Sequence, residues 1–400
     1  MREGWKEKTI GEVCDVVNGG TPKTGVSGYW GGSYQWITPA EMGKRVTPYI
    51  QQTERTITSE GLRNSSARLL PPHSVILSSR APIGYLVINT APMATNQGCK
   101  GLVPNKEIDH KFLFYYLESI VKLLNELGSG ATFKELSSGK LKEIPIPIAP
   151  LPEQRRIVAI LDEAFEGIAT AKANAEKNLQ NTHEVFESHM NAVFSQRGEG
   201  WVEKSLGELA TLRNGINFSK ARSGETIKIL GVKDFQYNYW APIDNFDTIV
   251  SDGKIKSSDI LKENDIVFVR SNGNPELIGR CLLVGRVNEK VTHSGFTIRA
   301  RLSSSDVNIQ YLCHFLKLRE THRKMIDGGN GISIKSLNQE TLSNLIIPLP
   351  RLLEKQTKIV NQVEKLSAET QHLEFIYEKK LTALDELKQS LLHQAFNGDL

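Results

Sequence analysis

The sequence predicts a mixed α/β (α+β) chain built twice over. Two tandem globular domains are separated and followed by long helices that pair as an antiparallel coiled coil. Three observations carry that expectation. An apolar repeat of roughly 3.5 residues runs through 152–194 and again through 354–396, the signature of a two-helix seam. Short matching segments recur about 200 residues apart, which marks a duplicated domain rather than a solenoid of short units. Outside the helices, β-rich runs alternate with Gly, Pro, Asn and Ser turns. The expected boundaries are 1–150 and 199–350 for the domains, 151–198 for a central helix and 351–400 for a C-terminal helix.

Within the domains, the repeat is strongest at the edges. Glu3-Gly4-Trp5 recurs as Glu199-Gly200-Trp201, Gly11-Glu12 as Gly207-Glu208, and Asn18-Gly19 as Asn214-Gly215. Near the other edge, 130–136 lines up with 331–337 and 141–147 with 342–348. Strands are expected at 74–77, 85–88, 265–269 and 281–284, with one helix per domain at 111–127 and 310–325. The interiors differ: Trp36-Ile37-Thr38-Pro39 stands in one and Ile229-Leu230-Gly231-Val232 in the other. Matching frames around differing interiors suit one binding role aimed at two ligands.

The first helical seam runs through Ile157, Leu161, Ala164, Ile168, Ala171, Ala175, Asn178, Thr182, Val185, His189 and Ala192. The second runs from Ile359 through Val363, Leu366, Thr370, Leu373 and Tyr377 to Leu387, Leu391 and Gln394. The first is rich in Ala and the second in Leu, so large side chains of one can fill the space left by the other. Pro152 and Glu153 suit a first turn, and Gly198 and Gly398 suit the stops. Each helix leaves one domain, so if the two pair they run antiparallel with a pseudo-two-fold relation. B-DNA has local two-fold axes of its own, which paired readers exploit. A helix of this size spans roughly 60 Å, an upper bound on the separation it could enforce.

Composition narrows the class. Four hundred residues exceed one ordinary domain, no apolar run reaches membrane-spanning length, and the N-terminus is not that of a signal peptide. A cytoplasmic protein is expected. Cys14, Cys99, Cys281 and Cys313 are far apart, with no C-x-x-C pair, and read as buried reduced thiols. The net charge of +4 divides unevenly. Residues 1–150 carry 17 basic and 13 acidic side chains, and 199–350 carry 20 and 17. The helical stretches carry 5 against 7 and 7 against 8. The basic excess sits in the two domains, which is compatible with polyanion contact.

A search for catalytic motifs returns little. Gly128-Ser129-Gly130 and Gly328-Gly329-Asn330-Gly331 lack the G-x-x-x-x-G-K-[ST] form and read better as helix C-terminal glycines entering a turn. No nucleophile elbow surrounds Ser78 or Ser79. Asn274-Pro275-Glu276-Leu277 lacks the second proline and the aromatic of an amino-methylating motif. The nine histidines form no ligand-spaced cluster. No active site, metal site or cofactor is expected.

The polar loops are the candidate site, as DNA contacts. In the first domain these are Thr21, Lys23, Ser79, Arg80, Asn96, Gln97 and Lys100, with Thr132 and Lys134 beyond the helix. In the second they are Asn217, Ser219, Lys220, Arg222, Arg270, Asn272, Asn274 and Arg280, with Ser333 and Lys335. Arg, Asn and Gln make the bidentate contacts that specify bases, whereas Lys and Ser mainly position on phosphate.

The whole chain resembles the specificity subunits of type I restriction–modification systems. The resemblance rests on Gly19-Gly20-Thr21-Pro22, Tyr29-Trp30-Gly31-Gly32, Ser78-Ser79-Arg80-Ala81-Pro82-Ile83-Gly84 and Asn96-Gln97-Gly98. It rests also on Ile144-Pro145-Ile146-Pro147 leading to Leu151-Pro152-Glu153-Gln154-Arg155-Arg156, and on Gln389 to Gly398. The second copy departs, with one extra residue in Pro350-Arg351-Leu352-Leu353-Glu354-Lys355-Gln356, which leaves its helix start open. The resemblance implies two target-recognition domains reading the halves of a bipartite, asymmetric DNA site, with the helices as spacer. It implies two modification subunits, which bind S-adenosylmethionine and methylate adenine. Restriction subunits with an ATP- and Mg-dependent motor and nuclease can join them. The specificity chain itself is then non-catalytic. Two alternatives have less support. A stand-alone DNA methyltransferase or nuclease needs motifs that are missing, and a coiled-coil scaffold leaves the diverged polar interiors without purpose.

Overall fold

The computed structural model describes residues 4–400 except 81, 131–133, 197, 218–223, 237–238, 252–254 and 328–335. The chain divides into two compact units, one formed by 1–176 with 378–400 and the other by 177–377. Each unit holds one globular domain and part of both long helices.

In the first unit the strands are β1 (Lys6–Thr9), β2 (Cys14–Asn18), β3 (Trp30–Ile37), β4 (Tyr49–Ile50) and β5 (Thr56–Ile57). They continue with β6 (Val75–Ser79), β7 (Ile83–Asn89), β8 (Met93–Thr95), β9 (Cys99–Pro104) and β10 (Pro145–Ile148). They make a five-stranded sheet in the order β2-β9-β6-β7-β4, a three-stranded sheet β5-β3-β8 and a ribbon β1-β10. The second unit holds β11 (Trp201–Ser205), β12 (Ala210–Asn214), β13 (Glu225–Leu230), β14 (Asp247–Ser251) and β15 (Ile266–Val269). Its remaining strands are β16 (Cys281–Leu283), β17 (Val291–His293), β18 (Thr297–Leu302) and β19 (Ile346–Pro350). The sheets repeat: β12-β18-β15-β16, then β14-β13-β17, then the ribbon β11-β19. In both three-stranded sheets the middle strand pairs antiparallel on one side and parallel on the other.

The duplicated edges are where the chain clamps its own ends. A one-turn helix follows β1 and β11, and in each the acidic side chain bonds back to the residue before the helix. Thr9 N–H donates to Glu12 Oε2 and Ser205 N–H to Glu208 Oε2, both at 2.6 Å. The backbones then close on the far edge of the domain, with Ile10 N–H donating to Ile144 O at 2.9 Å and Leu206 N–H to Leu345 O at 2.8 Å. At Gly207 a Cβ would stand 2.0 Å from Ser343 Oγ, so the repeated glycine permits a close approach.

The helix expected at 111–127 is two segments, His110–Ser119 and Val121–Leu127, and that at 310–325 is likewise two, Ile309–Lys317 and Arg319–Asp327. The breaks fall at Ile120, with φ −106° and ψ 16°, and at Leu318, with ψ 138°. In the first, Ser119 Oγ donates to Tyr116 O at 2.6 Å, a local bond that competes with the helical ladder.

The central helix is Leu151–Ser195 and the C-terminal helix Leu353–Asn397, each 45 residues. The open question of the second start is resolved by a buried glutamine. Gln154 Oε1 accepts from Asp109 N–H at 2.8 Å, and its amide donates to Glu107 O and Ala149 O at 2.9 and 2.8 Å. Gln356 repeats the pattern with Asn308 N–H, Asp306 O and Pro350 O at 2.7, 3.0 and 2.8 Å. Both are the fourth residue of their helix, so the extra residue is absorbed just before the helix begins.

Within each unit the two helical segments run antiparallel. In the first, Arg156 reaches Leu400 O and Lys172 pairs with Asp385. In the second, His183 meets Glu374 at 3.1 Å. The seam departs from the expected walk. It keeps to Ile157, Leu161, Ile168 and Ala175, all buried, and then slips by one, so that Met190, Val193 and Phe194 are buried while Val185 is 62% exposed. The C-terminal helix slips similarly after buried Thr370, leaving Leu373 and Leu387 exposed and burying Leu392 and Ala395. A helix of 3.6 residues per turn drifts against a 3.5-residue repeat, and over the roughly nine turns from Ile157 to Met190 the drift amounts to about one position.

Each helix end locks into a domain helix. Phe396 packs edge-on against Phe112 and Tyr116, with centroids 5.1 and 5.2 Å away. Phe194 meets Tyr311 and Phe315 at 5.1 and 5.9 Å. Among the described residues no helix is long and apolar enough to cross a membrane.

Candidate nucleic-acid interface

Strand pairing gathers the predicted loops at one edge of each domain. In the first unit Asn18 of β2 lies opposite Lys100 of β9, Ser78 of β6 opposite Cys99, and Ile37 of β3 beside Thr95 of β8. The segments 19–23, 79–80 and 96–98 therefore emerge together. The second unit does the same with Asn214 opposite Ile298, Val269 opposite Thr297 and Leu230 beside His293.

The backbone holding these loops is one frame used twice. Gly20 N–H donates to Thr95 O at 2.8 Å and Ile216 N–H to His293 O at 2.9 Å. Asn96 N–H donates to Ile37 O, and Ser294 N–H to Leu230 O, both at 3.0 Å. Ser79 N–H donates to Gly98 O, and Arg270 N–H to Phe296 O, both at 2.8 Å. Leu136 N–H donates to Ser79 O at 2.9 Å and Leu337 N–H to Arg270 O at 2.7 Å. These bonds set Thr95–Cys99 on His293–Thr297 and Ser79 on Arg270. The side chains on that frame differ: Gln97 answers to Gly295, and Gly98 to Phe296.

The predicted residues divide by what the frame does with them. Lys23, Arg80, Gln97, Lys134, Asn217 and Asn274 are exposed. Thr21, Asn96, Arg270, Asn272 and Arg280 are partly exposed. Thr21 donates its hydroxyl to Gln97 Oε1, joining two loops. Asn96 Oδ1 accepts from Gly98 N–H, and Asn272 Oδ1 from Asn274 N–H, at 2.9 and 2.8 Å, so these amides shape their own turns. Arg280 donates to Gln236 O at 2.9 Å.

Two of the expected contacts are buried in this chain. Ser79 is 0% exposed and its hydroxyl donates to Gly98 O at 3.3 Å. Lys100 is 6% exposed, donates to Asn18 Oδ1 at 2.9 Å and lies 4.0 Å from Glu135. Burial lowers its pKa, an effect that Glu135 opposes. Both side chains belong to the frame, because β-strand residues that face inward have no surface to offer. Thr132, Ser219, Lys220, Arg222, Ser333 and Lys335 lie outside the described residues.

Sequence reasoning passed over two exposed groups on these edges. Phe296 is 59% exposed at the tip between β17 and β18. Arg55, just before β5, lies over the ring of Trp30 at 3.8 Å from its centroid. Neither carries a motif. What marks them is the fold around them. Among the described residues, no group of three His, Cys, Asp or Glu side chains could hold a metal.

Two copies of one backbone frame, carrying different exposed polar groups, define a paired recognition protein. The family model for the type I restriction modification DNA specificity domain matches residues 2–180 and again 198–380. The chain belongs to that family, as one of its non-catalytic specificity subunits. It is 27% identical to the type I restriction enzyme MjaIX specificity subunit of Methanocaldococcus jannaschii, over 99% of this chain and 93% of that one. It is 26% identical to the StySPI specificity subunit of Salmonella potsdam, over 100% and 90%. The fold matches a chain solved in a study of type I R-M complex assembly and conformational transition, with a TM-score of 0.80 at 18% identity, covering 100% and 99%. The HsdS subunit from Thermoanaerobacter tengcongensis gives 0.63 at 19% identity, covering 100% and 98%.

Proposed function

We propose that this chain gives a cytoplasmic type I restriction–modification complex its DNA specificity by reading a bipartite, asymmetric site. The loop edge of each unit contacts one half-site, and the two long helices set the spacing and dock two methyltransferase subunits. Restriction subunits can join the same complex. The observation that carries this reading is the doubled hydrogen-bond frame with unlike side chains, one geometry offered to two different sequences. Gln97, Arg80, Lys134 and Lys23 are the contacts of the first edge, and Asn217, Arg270, Asn272, Asn274 and Arg280 those of the second. Val185, Leu373, Phe375 and Ile376, exposed on the long helices, support docking of further chains there.

The domain charges, +4 for 1–150 and +3 for 199–350, are small for a protein that must grip phosphate unaided. The chain alone should therefore bind duplex DNA weakly, and adding the methyltransferase subunits should tighten binding greatly with a steep salt dependence. Titrations at several salt concentrations test this. Tight, specific binding by the isolated chain, unchanged by the partner, would contradict it.

A further inference from the structure

Arg55 is not part of any motif, yet the first unit holds its guanidinium in place from below. Trp30 lies 3.8 Å beneath the guanidinium carbon and Trp36 5.2 Å from it, and the two indoles meet edge to face at 5.0 Å and 84°. Both indoles are pinned to the loop that carries Thr21 and Lys23. Trp36 Nε1–H donates to Gly20 O at 2.9 Å and Trp30 Nε1–H to Lys23 O at 3.3 Å. The backbone is fixed as well, since Arg55 O accepts from Trp36 N–H and from Thr53 Oγ1 at 3.2 and 2.6 Å. Thr53 is held in turn by Gln35 Oε1 at 2.7 Å.

Among the described residues the guanidinium edge is unengaged. No hydrogen bond or ion pair among them takes its donors, and the nearby carboxylates are occupied elsewhere, Glu54 by Lys44 and Glu41 by Arg45. An arginine kept only to cover a tryptophan pair does not need its whole donor fork facing solvent. Stacking removes rotamer freedom before any ligand arrives, so a planar fork of fixed direction is available for bidentate recognition.

We infer that Arg55 is a base-reading residue of the first unit, directed at the O6 and N7 acceptors of a guanine in the major groove. The inference rests on the proposed DNA-reading role of that edge. Its links to the predicted site are short: Trp36 touches the carbonyl of Gly20, and the next residue, Thr21, bonds Gln97. A lysine here would keep the charge and lose both the stacking and the fork.

The test uses the full chain assembled with its methyltransferase, once its site has been mapped by adenine methylation. Arg55→Ala and Arg55→Lys should each relax the preference for one G·C pair in the first half-site by about tenfold or more. The second half-site should keep its preference. The unaltered complex should lose the same preference on DNA carrying 7-deazaguanine at that position. That arm decides the matter even if a variant fails to fold. Uniform weakening at every base, as from a phosphate contact, would overturn the inference, as would unchanged specificity or a first half-site without a G·C pair. Loss of sequence preference by the unaltered complex at both half-sites would instead overturn the proposed function.

Discussion

Gln154 and Gln356 each make three hydrogen bonds from inside the protein and so fix where a long helix leaves its domain. Buried polar groups elsewhere are less completely matched. His293 is fully buried, its Nδ1 lies 2.9 Å from Thr297 Oγ1, and its Nε2 has no hydrogen-bond partner among the described residues. Burial, followed by the positive charge of Arg299, pushes its pKa down to about 4, and burial does the same to His314. Below about 6.5 the unfolded chain takes up protons that the folded chain refuses. The stability these two residues lend is therefore complete above that pH and is lost as pH falls toward 4. Lowering the pH from 7 to 5 should cost the second unit about 2 kcal/mol per histidine. Amide hydrogen exchange in β15 and β18 reads this directly, and His293→Gln should flatten the response. An equal loss in β6 and β9 of the first unit would contradict the assignment. None of this was legible in the sequence, where histidines show only that they form no cluster. The same limit applies to Ser79 and Lys100: a polar residue in a loop-like run looks alike whether its strand turns it out or in.

The long helices were legible at the scale of the element, because a repeat that runs through 152–194 and again through 354–396 is hard to mistake. These apolar repeats end within one residue of the helices Leu151–Ser195 and Leu353–Asn397. The facing residues depart from expectation, since small angular errors accumulate along a helix while its length remains unaffected. The breaks at Ile120 and Leu318 carry no motif in the sequence; at the first, the local bond from Ser119 Oγ to Tyr116 O replaces part of the helical ladder. The aromatic locks make a sharper statement. Phe396, partly buried, touches Phe112 and Tyr116, so Phe396→Ala should destabilise the first unit by roughly 2–3 kcal/mol. Phe375→Ala, at a side chain 52% exposed, should change stability by less than about 0.5 kcal/mol. Thermal unfolding of the two variants checks both values. Equal effects would mean that the C-terminal lock does not hold its unit together.

For the whole molecule, the sequence revealed the duplication through its edges, since those edges are capping boxes and clamped strands that any copy must keep. The equivalence of the reading edges was hidden, because Thr95–Cys99 and His293–Thr297 share hydrogen bonds and almost no side chains. That combination is what a reader of two different half-sites requires, and it makes the two edges separable. Replacing residues 20–140 with the matching region of a relative, in a chain that still assembles with its methyltransferase, isolates one of them. Genome-wide mapping of adenine methylation should then show a new first half-site beside an unchanged second half-site. Loss of both preferences in a folded, assembling chimera, or no change in either, would contradict the account.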